Sequence, residues 1–366
     1  MHELVTMKRK TYSGLQVVLS GLACGLLGFL CYWVIVRYGR GKLYGTDSGA
    51  ASFGWLLLSF LVVVLFMQSI SLFFGLLIRV ITDRVPYVTV RKSSMENRAA
   101  AEIYRRYHRK MMRIAVFSEL FTDVIFAIAV VAFVASKNTS KGTYWLVLIA
   151  LLLVTMMNPV PRMQKKKAVD EVRRIFTEDC DPVMAFDIYE HSRLEYMRKV
   201  EKDATFLQQA SHCYYMGDYP EMARCLSACG NYLYGENKVI YIYLKGLYAI
   251  DQNQMDQFYV CSGELGVIEQ KRGLSVQEKN RAEKTRREWQ IRLELVNGDP
   301  VQLIPVIQRL LTEEKEHIRW MDRTFQLAWL QLKTGDRERA MENLRLVAGR
   351  AGTMAIRKKA EELLKA

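Results

Sequence analysis

The sequence has little proline and lacks the short motifs of several common enzyme classes. Only 7 of its 366 residues are proline, which favours long helices because proline interrupts the helical hydrogen-bond ladder. It contains no P-loop, no Gly-x-Gly-x-x-Gly, no Gly-x-Ser-x-Gly and no protein-kinase motif set. We therefore predict that the chain is not an enzyme, with no catalytic residue and no cofactor.

Paired metal-binding motifs are also missing. His212, Cys213, Cys225 and Cys229 form the only cluster with ligand chemistry, and tetrahedral zinc accepts such residues. Their spacing matches no paired Cys-x-x-Cys site, and cysteine is a common small buried residue at helix contacts. We predict no metal site. The 7 cysteines lack an even spacing, which fits a reducing cytoplasm.

Acidic residues are scarce in the first half of the chain. Residues 1–162 contain 19 Lys and Arg against 7 Asp and Glu, whereas residues 163–366 contain 33 against 31. The formal net charge of +14 therefore comes mainly from the first half. This distribution indicates membrane topology rather than nucleic-acid binding, and we predict no nucleic-acid partner.

Four apolar runs dominate this basic half. They cover about residues 14–36, 55–78, 114–135 and 143–159, close to the roughly 20 helical residues that a bilayer core requires. Asn158, Pro159 and Pro161 mark the end of the last run, since proline cannot continue a helix. The runs predict a transmembrane domain over residues 1–162, in a multi-pass protein of the plasma (cytoplasmic) membrane.

Basic residues predict the orientation of this domain. The loop 79–113 carries ten Lys and Arg against three acidic residues, and basic loops stay on the cytoplasmic side. The N-terminus and all residues after Pro161 are then cytoplasmic. Arg37, Arg40 and Lys42 in the first outer loop disagree with this orientation.

The same loop has a second interpretation. Ser93 and Glu96 have the spacing of a capping box, and residues 94–113 then predict a basic amphipathic helix. Such a helix attracts anionic lipid head groups. The alternative is a cytoplasmic extension of the third span, whose charges simply follow the topology rule.

Two carboxylates fall within the third predicted span. Glu119 and Asp123 lie four residues apart on one helix face, and carboxylates are costly inside a membrane. They predict either an interfacial pair with Arg109 or Arg113, or an ion or proton path. The second alternative makes the chain a transporter or channel-like component that the C-terminal half regulates.

The second half predicts soluble helices with regular turns. Residues 163–199 predict connecting helices, with Asp181 as N-cap and Pro182 at the first helical position. Further on, turns are predicted at Gly217-Asp218, Asn253-Gln254, Gly298-Asp299 and Gly335-Asp336. Glycine or asparagine there suits a left-handed residue after a helix. Each turn would fold two helices into a hairpin that must stack on its neighbours to bury its apolar face.

The segment QLKTGDRERAMENL, residues 331–344, carries a family resemblance. With Leu327, Ala328, Ala340 and Val347 in register, it resembles the tetratricopeptide repeat, a pair of antiparallel helices. The resemblance covers residues 200–366 and implies an α-solenoid closed by a cap helix near 353–364. We therefore predict an all-α fold, with a four-helix transmembrane domain and a cytoplasmic α-solenoid of this type.

In that family, the first helices of successive hairpins line a concave groove that holds a segment of a partner. The resemblance thus implies a membrane-anchored scaffold or adaptor that binds an unidentified protein or peptide. Association of the chain with further copies of itself is a second possibility. Tyrosine, tryptophan and arginine often dominate the energy of interfaces. The implied groove residues are Ser211, Tyr214, Tyr215, Tyr243, Leu247, Arg292, Phe325, Trp329 and Lys333.

Overall fold

The structure, a computed structural model, describes residues 3–8, 14–33, 87–135, 159–194, 199–229, 233–270 and 273–366, together with Phe66, Ser69 and Phe73. These residues are mostly helical. The chain divides into two compact units: the first comprises Met1–Met7, Val88–Tyr104 and Asp170–Ala366, and the second comprises Lys8–Tyr87 and Arg105–Val169.

The described part contains two strands and fourteen helices. In chain order they are β1 (Leu4–Lys8), α1 (Gly14–Tyr32), β2 (Tyr87–Arg91), α2 (Lys92–Glu96), α3 (Arg98–Ala135), α4 (Pro159–Thr177), α5 (Pro182–Arg193), α6 (Lys199–Met216), α7 (Tyr219–Ala228), α8 (Glu236–Asp251), α9 (Met255–Gln270), α10 (Val276–Asn297), α11 (Pro300–Glu313), α12 (His317–Lys333), α13 (Arg337–Arg350) and α14 (Ala355–Leu363). Strands β1 and β2 pair in one sheet.

The predicted membrane domain is not supported. Among the described residues, no helix combines the length and the apolar character that crossing a bilayer requires. This finding contradicts the four-span domain and, with it, the multi-pass plasma-membrane localisation. The second predicted span, apart from three residues, and residues 143–158 of the fourth lie outside the described part.

Two of the predicted spans show why apolar runs were misleading. The run 114–135 is the second part of α3, whose first part is the basic segment from Arg98 to Arg113. Pro159 and Pro161, which were predicted to end the fourth span, lie within α4 (Pro159–Thr177) as far as the structure describes it. The charged sequence after Pro161 continues that helix.

Residues 88–97 pack against the C-terminal helices of the first unit. Ser94 is fully buried, and its hydroxyl donates to Asp187 Oδ1 at 2.5 Å. The Asn97 side-chain amide donates to Asp187 Oδ2 at 2.7 Å, while its Oδ1 accepts from the backbone of Ala100. Helix α2 has no side-chain cap, so the predicted capping box at Ser93 is wrong and Asn97 starts α3 instead.

Arg91 holds this segment in place. Its guanidinium pairs with Asp218, lies 3.7 Å from Glu221 and stacks 4.3 Å from the ring centroid of Phe186. Its backbone N–H donates to Glu190 Oε2 at 2.8 Å. A residue of the predicted membrane loop is therefore a buried structural residue of the first unit.

Helices α6 to α13 form four consecutive hairpins. Asp181 caps α5 by accepting from Met184 N at 2.9 Å, with Pro182 at the first helical position, which confirms that predicted helix start. Gly217, Asn253 and Gly335 adopt φ angles of 69°, 54° and 84°, the left-handed conformation expected at their turns. At the other turn Gly298 has φ −88°, so the prediction of a left-handed residue there is wrong.

The two ends of this helical array are in contact. The backbone of Thr353, between α13 and α14, donates to Cys180 O at 3.1 Å, and its hydroxyl donates to Asp181 Oδ1 at 2.7 Å. His317 Nδ1 lies 2.7 Å from the carbonyl oxygen of Glu178. The turn between α4 and α5 therefore joins the last hairpin, and α14 also packs against α6.

Candidate functional site

The first helices of all four hairpins meet around one small cavity, which we call the axial cleft. Helices α6, α8, α10 and α12 each contribute to it, so no single hairpin could form it. Its lining residues are Tyr214, Tyr215, Tyr243, Leu247, Glu288, Arg292, Arg319, Asp322, Arg323 and Gln326.

Three tyrosines form the aromatic side of the axial cleft. The rings of Tyr214 and Tyr215 meet edge to face, with centroids 5.2 Å apart, and Phe176 contacts Tyr215 at 5.4 Å. Burial raises the pKa values of Tyr214 and Tyr215 well above the ordinary value and that of Tyr243 to about 12. Their hydroxyl groups are therefore neutral near pH 7 and can both donate and accept hydrogen bonds.

Arg292 is anchored behind the tyrosines. Its Nε and Nη2 atoms donate to the two carboxylate oxygens of Asp251 at 2.9 and 3.1 Å. The hydroxyl of Tyr219 donates to the same carboxylate at 2.8 Å. This bidentate pair fixes the guanidinium beside Tyr214, whose ring centroid lies 5.9 Å away.

A second ionic network lies on α10 and α12. Arg323 pairs with Glu288, and its Nη1 donates to Gln326 Oε1 at 2.7 Å. Gln326 in turn donates to Asp322 Oδ2 at 2.7 Å. Burial raises the pKa of Asp322, and the nearby charges of Arg292 and Arg323 oppose that rise.

Arg319 differs from the other two arginines of the axial cleft. Its Nε lies 3.0 Å from Glu316 Oε2, and Glu316 also pairs with Arg173 at 2.5 Å. Within the described part of the chain, the two terminal Nη groups of Arg319 have no hydrogen-bond partner. A guanidinium has five N–H donors, so most of the donors of Arg319 are available.

The axial cleft is small in this structure. Its volume is about 20 Å³, room for about one or two water molecules. A helix is roughly 10 Å across with its side chains, so the cleft cannot hold one. It can admit a single polar group.

The predicted groove residues divide into two sets. Tyr214, Tyr215, Tyr243, Leu247 and Arg292 line the axial cleft, whereas Ser211, Phe325, Trp329 and Lys333 do not. Ser211 is half-buried. Phe325 and Trp329 pack against two apolar clusters, and Lys333 Nζ lies 3.5 Å above the Trp329 ring.

On α12, the residues that reach the axial cleft were missed. Arg319, Asp322, Arg323 and Gln326 recur at the three- and four-residue spacing of one helix face. This polar stripe is visible in the sequence. Because polar helix faces usually meet solvent, the aromatic face of α12 was predicted to line the groove instead. The family resemblance also implies Glu288 on α10 as a groove residue, and Glu288 lines the axial cleft.

The histidine–cysteine cluster is packed rather than open. His212 lies between the rings of Phe176 and Tyr189, at centroid distances of 4.5 and 5.3 Å. Burial raises the pKa of Cys213 well above its ordinary value and that of Cys229 to about 12, so both thiols are protonated near pH 7. In the described residues, no group of three or more ligand-type side chains is placed to hold a metal.

Glu119 and Asp123 lie on α3, but their side chains are outside the described part of the structure. The ion-path alternative therefore gains no geometric support. Comparison with known protein families, with curated proteins and with solved structures gives no match to this chain.

Proposed function

We propose that the first unit is a protein-binding scaffold whose axial cleft receives a carboxylate group of a partner protein. The observation that carries this proposal is the guanidinium of Arg319, which lines the cleft with most of its donors unused. A planar guanidinium matches the geometry of a carboxylate, which it can bind through two parallel hydrogen bonds.

The surroundings of Arg319 favour the same ligand. Tyr215 and Tyr243 line the same cleft, and their neutral hydroxyl groups can donate to a carboxylate oxygen. Arg292 and Arg323 are already neutralised by Asp251 and Glu288. Arg319 shares its carboxylate partner, Glu316, with Arg173. Its charge is therefore less fully offset than those of the other two arginines, and it gains most from an incoming negative charge.

The volume of the axial cleft limits what can enter. A single Asp or Glu side chain, or a chain end, could displace the water that fits there, whereas a longer segment would lie outside on the ends of α6, α8, α10 and α12. The partner would thus be recognised by one inserted group and by surface contacts around it. The family resemblance supports this role, because the first helices of successive hairpins hold partner segments in tetratricopeptide proteins.

Fluorescence anisotropy with the full-length chain tests this proposal. The probes are labelled peptides that carry one carboxylate, either an Asp or Glu side chain or a free C-terminus, among small neutral residues. Each is paired with a peptide that carries Asn, Gln or a C-terminal amide in place of that carboxylate. A charge-assisted hydrogen bond contributes about 1.5–3 kcal/mol, so the acidic peptides should bind at least about tenfold more tightly. Equal affinity of acidic and amide peptides would contradict the proposal.

Two variants locate the binding site. Arg319→Gln should remove the preference for acidic peptides, because the amide keeps hydrogen-bonding capacity but loses the charge and the bidentate fork. Arg339→Gln is the control, since the side chain of Arg339 on α13 is 73% exposed and lies outside the cleft lining. A preference that survives in Arg319→Gln would place binding elsewhere.

A further inference from the structure

The second unit contains a larger cavity, of about 800 Å³, which we call the basic pocket. Residues of α3 and of α4 line it together. The lining residues are Arg106, Arg109, Lys110, Arg113, Ile114, Phe117 and Lys167. Its volume lies within the range of roughly 300–1,000 Å³ that small-molecule sites occupy.

Helix geometry brings the basic side chains together. Arg106, Arg109, Lys110 and Arg113 are spaced by three, four and seven residues from the first, so they lie on one face of α3. Lys167 adds a fifth cation from α4. None of the described residues that line the pocket is acidic, and the cavity is therefore strongly electropositive.

Like charges on one face of α3 favour an anionic ligand. Cations four residues apart on a helix, such as Arg109 and Arg113, repel each other. The Nε of Arg109 donates to the carbonyl oxygen of Arg105 at 3.3 Å, which does not offset its charge. An anion in the pocket would relieve this repulsion and accept several charge-assisted hydrogen bonds.

The pocket also has an apolar end. Phe117 lies four residues after Arg113 on the same face of α3, and its side chain is 59% exposed. Ile114, half-buried, lines the cavity beside it. Basic groups at one end and apolar groups at the other fit a ligand with an anionic head and an apolar tail.

We propose that the basic pocket binds an amphiphilic phosphate ester, with the phosphate among the basic residues and an aliphatic tail against Ile114 and Phe117. This site is separate from the axial cleft, and its ligand is a small molecule rather than a protein. Its source is either a glycerophospholipid or a soluble alkyl phosphate, which share a phosphate-ester head and an aliphatic tail.

Isothermal titration calorimetry with the full-length protein tests this proposal. The probes are dihexanoylglycerol phosphate, hexyl phosphate, dihexanoyl phosphatidylcholine and inorganic phosphate, each used below the concentration at which it forms micelles. Dihexanoylglycerol phosphate or hexyl phosphate should bind at least about tenfold more tightly than the zwitterionic lipid, because only the former pair are net anions without a choline cation. Preference between those two distinguishes a lipid from a soluble alkyl phosphate.

The variant Arg109→Gln with Arg113→Gln should weaken binding of dihexanoylglycerol phosphate and hexyl phosphate at least about tenfold. Its thermal midpoint without ligand should stay unchanged or rise, because the substitution removes repulsion; this outcome separates lost binding from lost folding. Phe117→Ser should weaken binding of the probes with aliphatic tails and leave that of inorganic phosphate unchanged. The control, Arg337→Gln with Arg339→Gln, changes two exposed arginines of α13 and should bind normally.

Three results would overturn the proposal. Inorganic phosphate that binds as tightly as hexyl phosphate would remove the role of the apolar end. Binding that persists in the double variant of α3 would place the ligand elsewhere. Equal loss of binding in the α13 control would show that net charge alone attracts the probes.

Discussion

Acidification should destabilise the first unit through His212. The side chain of His212 is 2% exposed and packs between Phe176 and Tyr189. Its Nδ1 has no hydrogen-bond partner among the described residues, so a proton added there gains no new bond. Burial accordingly lowers the pKa of His212 from 6.5 to about 3.

The sign and size of the effect follow from proton linkage. Between pH 6.5 and pH 3 the unfolded chain binds a proton at His212 that the folded chain excludes, so the free energy of unfolding falls as the pH falls. Each pKa unit corresponds to about 1.36 kcal/mol. The loss should therefore be about 2 kcal/mol between pH 7.5 and pH 5 and approach roughly 5 kcal/mol near pH 3.

Urea denaturation of the wild type and of His212→Phe at several pH values measures this loss. Burial raises the pKa values of Asp187 and Asp322, which adds stability as the pH falls; these contributions cancel in the difference between the two proteins. The free energy of unfolding of the wild type, minus that of His212→Phe, should fall by about 2 kcal/mol when the pH is lowered from 7.5 to 5. A difference that stays constant with pH would refute the assignment of His212 as a buried neutral histidine.

Two further predictions concern long-range packing in the first unit. Arg91→Ala should lower the free energy of unfolding by about 3 kcal/mol, because it removes the buried guanidinium that pairs with Asp218, while Glu221 keeps Arg224 as a partner; thermal denaturation measures the loss, and a midpoint within two degrees of wild type would contradict the network. Gly352→Ala should cost about 1–3 kcal/mol more than Gly273→Ala in urea denaturation. Both glycines have positive φ, but a Cβ at Gly352 would lie 2.2 Å from Cys180 O, whereas one at Gly273 would meet open space. Equal losses of the free energy of unfolding in the two variants would contradict a close contact between the ends of the array.

Local signals in the sequence were sufficient for the left-handed residue at three of the four predicted turns of the second half. The turns at Gly217, Asn253 and Gly335 depend on backbone conformations that glycine and asparagine adopt more readily than other residues. Gly298 shows the limit of this reasoning, because the chain there turns through an extended residue and restarts with Asp299, whose side chain accepts from Val301 N at 3.0 Å. The same residue types can serve two different turn geometries.

The candidate site was only partly predictable, because sequence spacing does not say which face of a helix points inward. On α12 both faces have helical periodicity. Phe325 and Trp329 form the apolar face and pack against neighbouring helices, which leaves the stripe beginning at Arg319 for the axial cleft. Six of the implied groove residues, on α6, α8 and α10, therefore line the cleft, whereas those implied on α12 lie on its other face; that the cleft binds a partner stays a prediction.

The contact of Arg91 with Asp218 could not be predicted from local patterns at all. The two residues are 127 positions apart, and Arg91 lies in a basic loop whose charges the topology rule already explained. Because the topology rule already accounted for the positive charge of the whole loop, nothing in the sequence indicated that one of its arginines is buried in an ion pair. Only the folded arrangement distinguishes Arg91 from its neighbours.

The contact between Cys180 and Thr353 changes how the first unit should unfold. In an open array of repeats, each unit touches only its neighbours, so the terminal hairpin can fray while the rest stays folded. Here the end of the last hairpin is hydrogen-bonded to the turn between α4 and α5, which precedes the first hairpin. Local unfolding of α14 would therefore also expose the start of α5. Amide hydrogens of the terminal helices should thus exchange as slowly as those of the middle ones, and the array should lose its structure in one cooperative step.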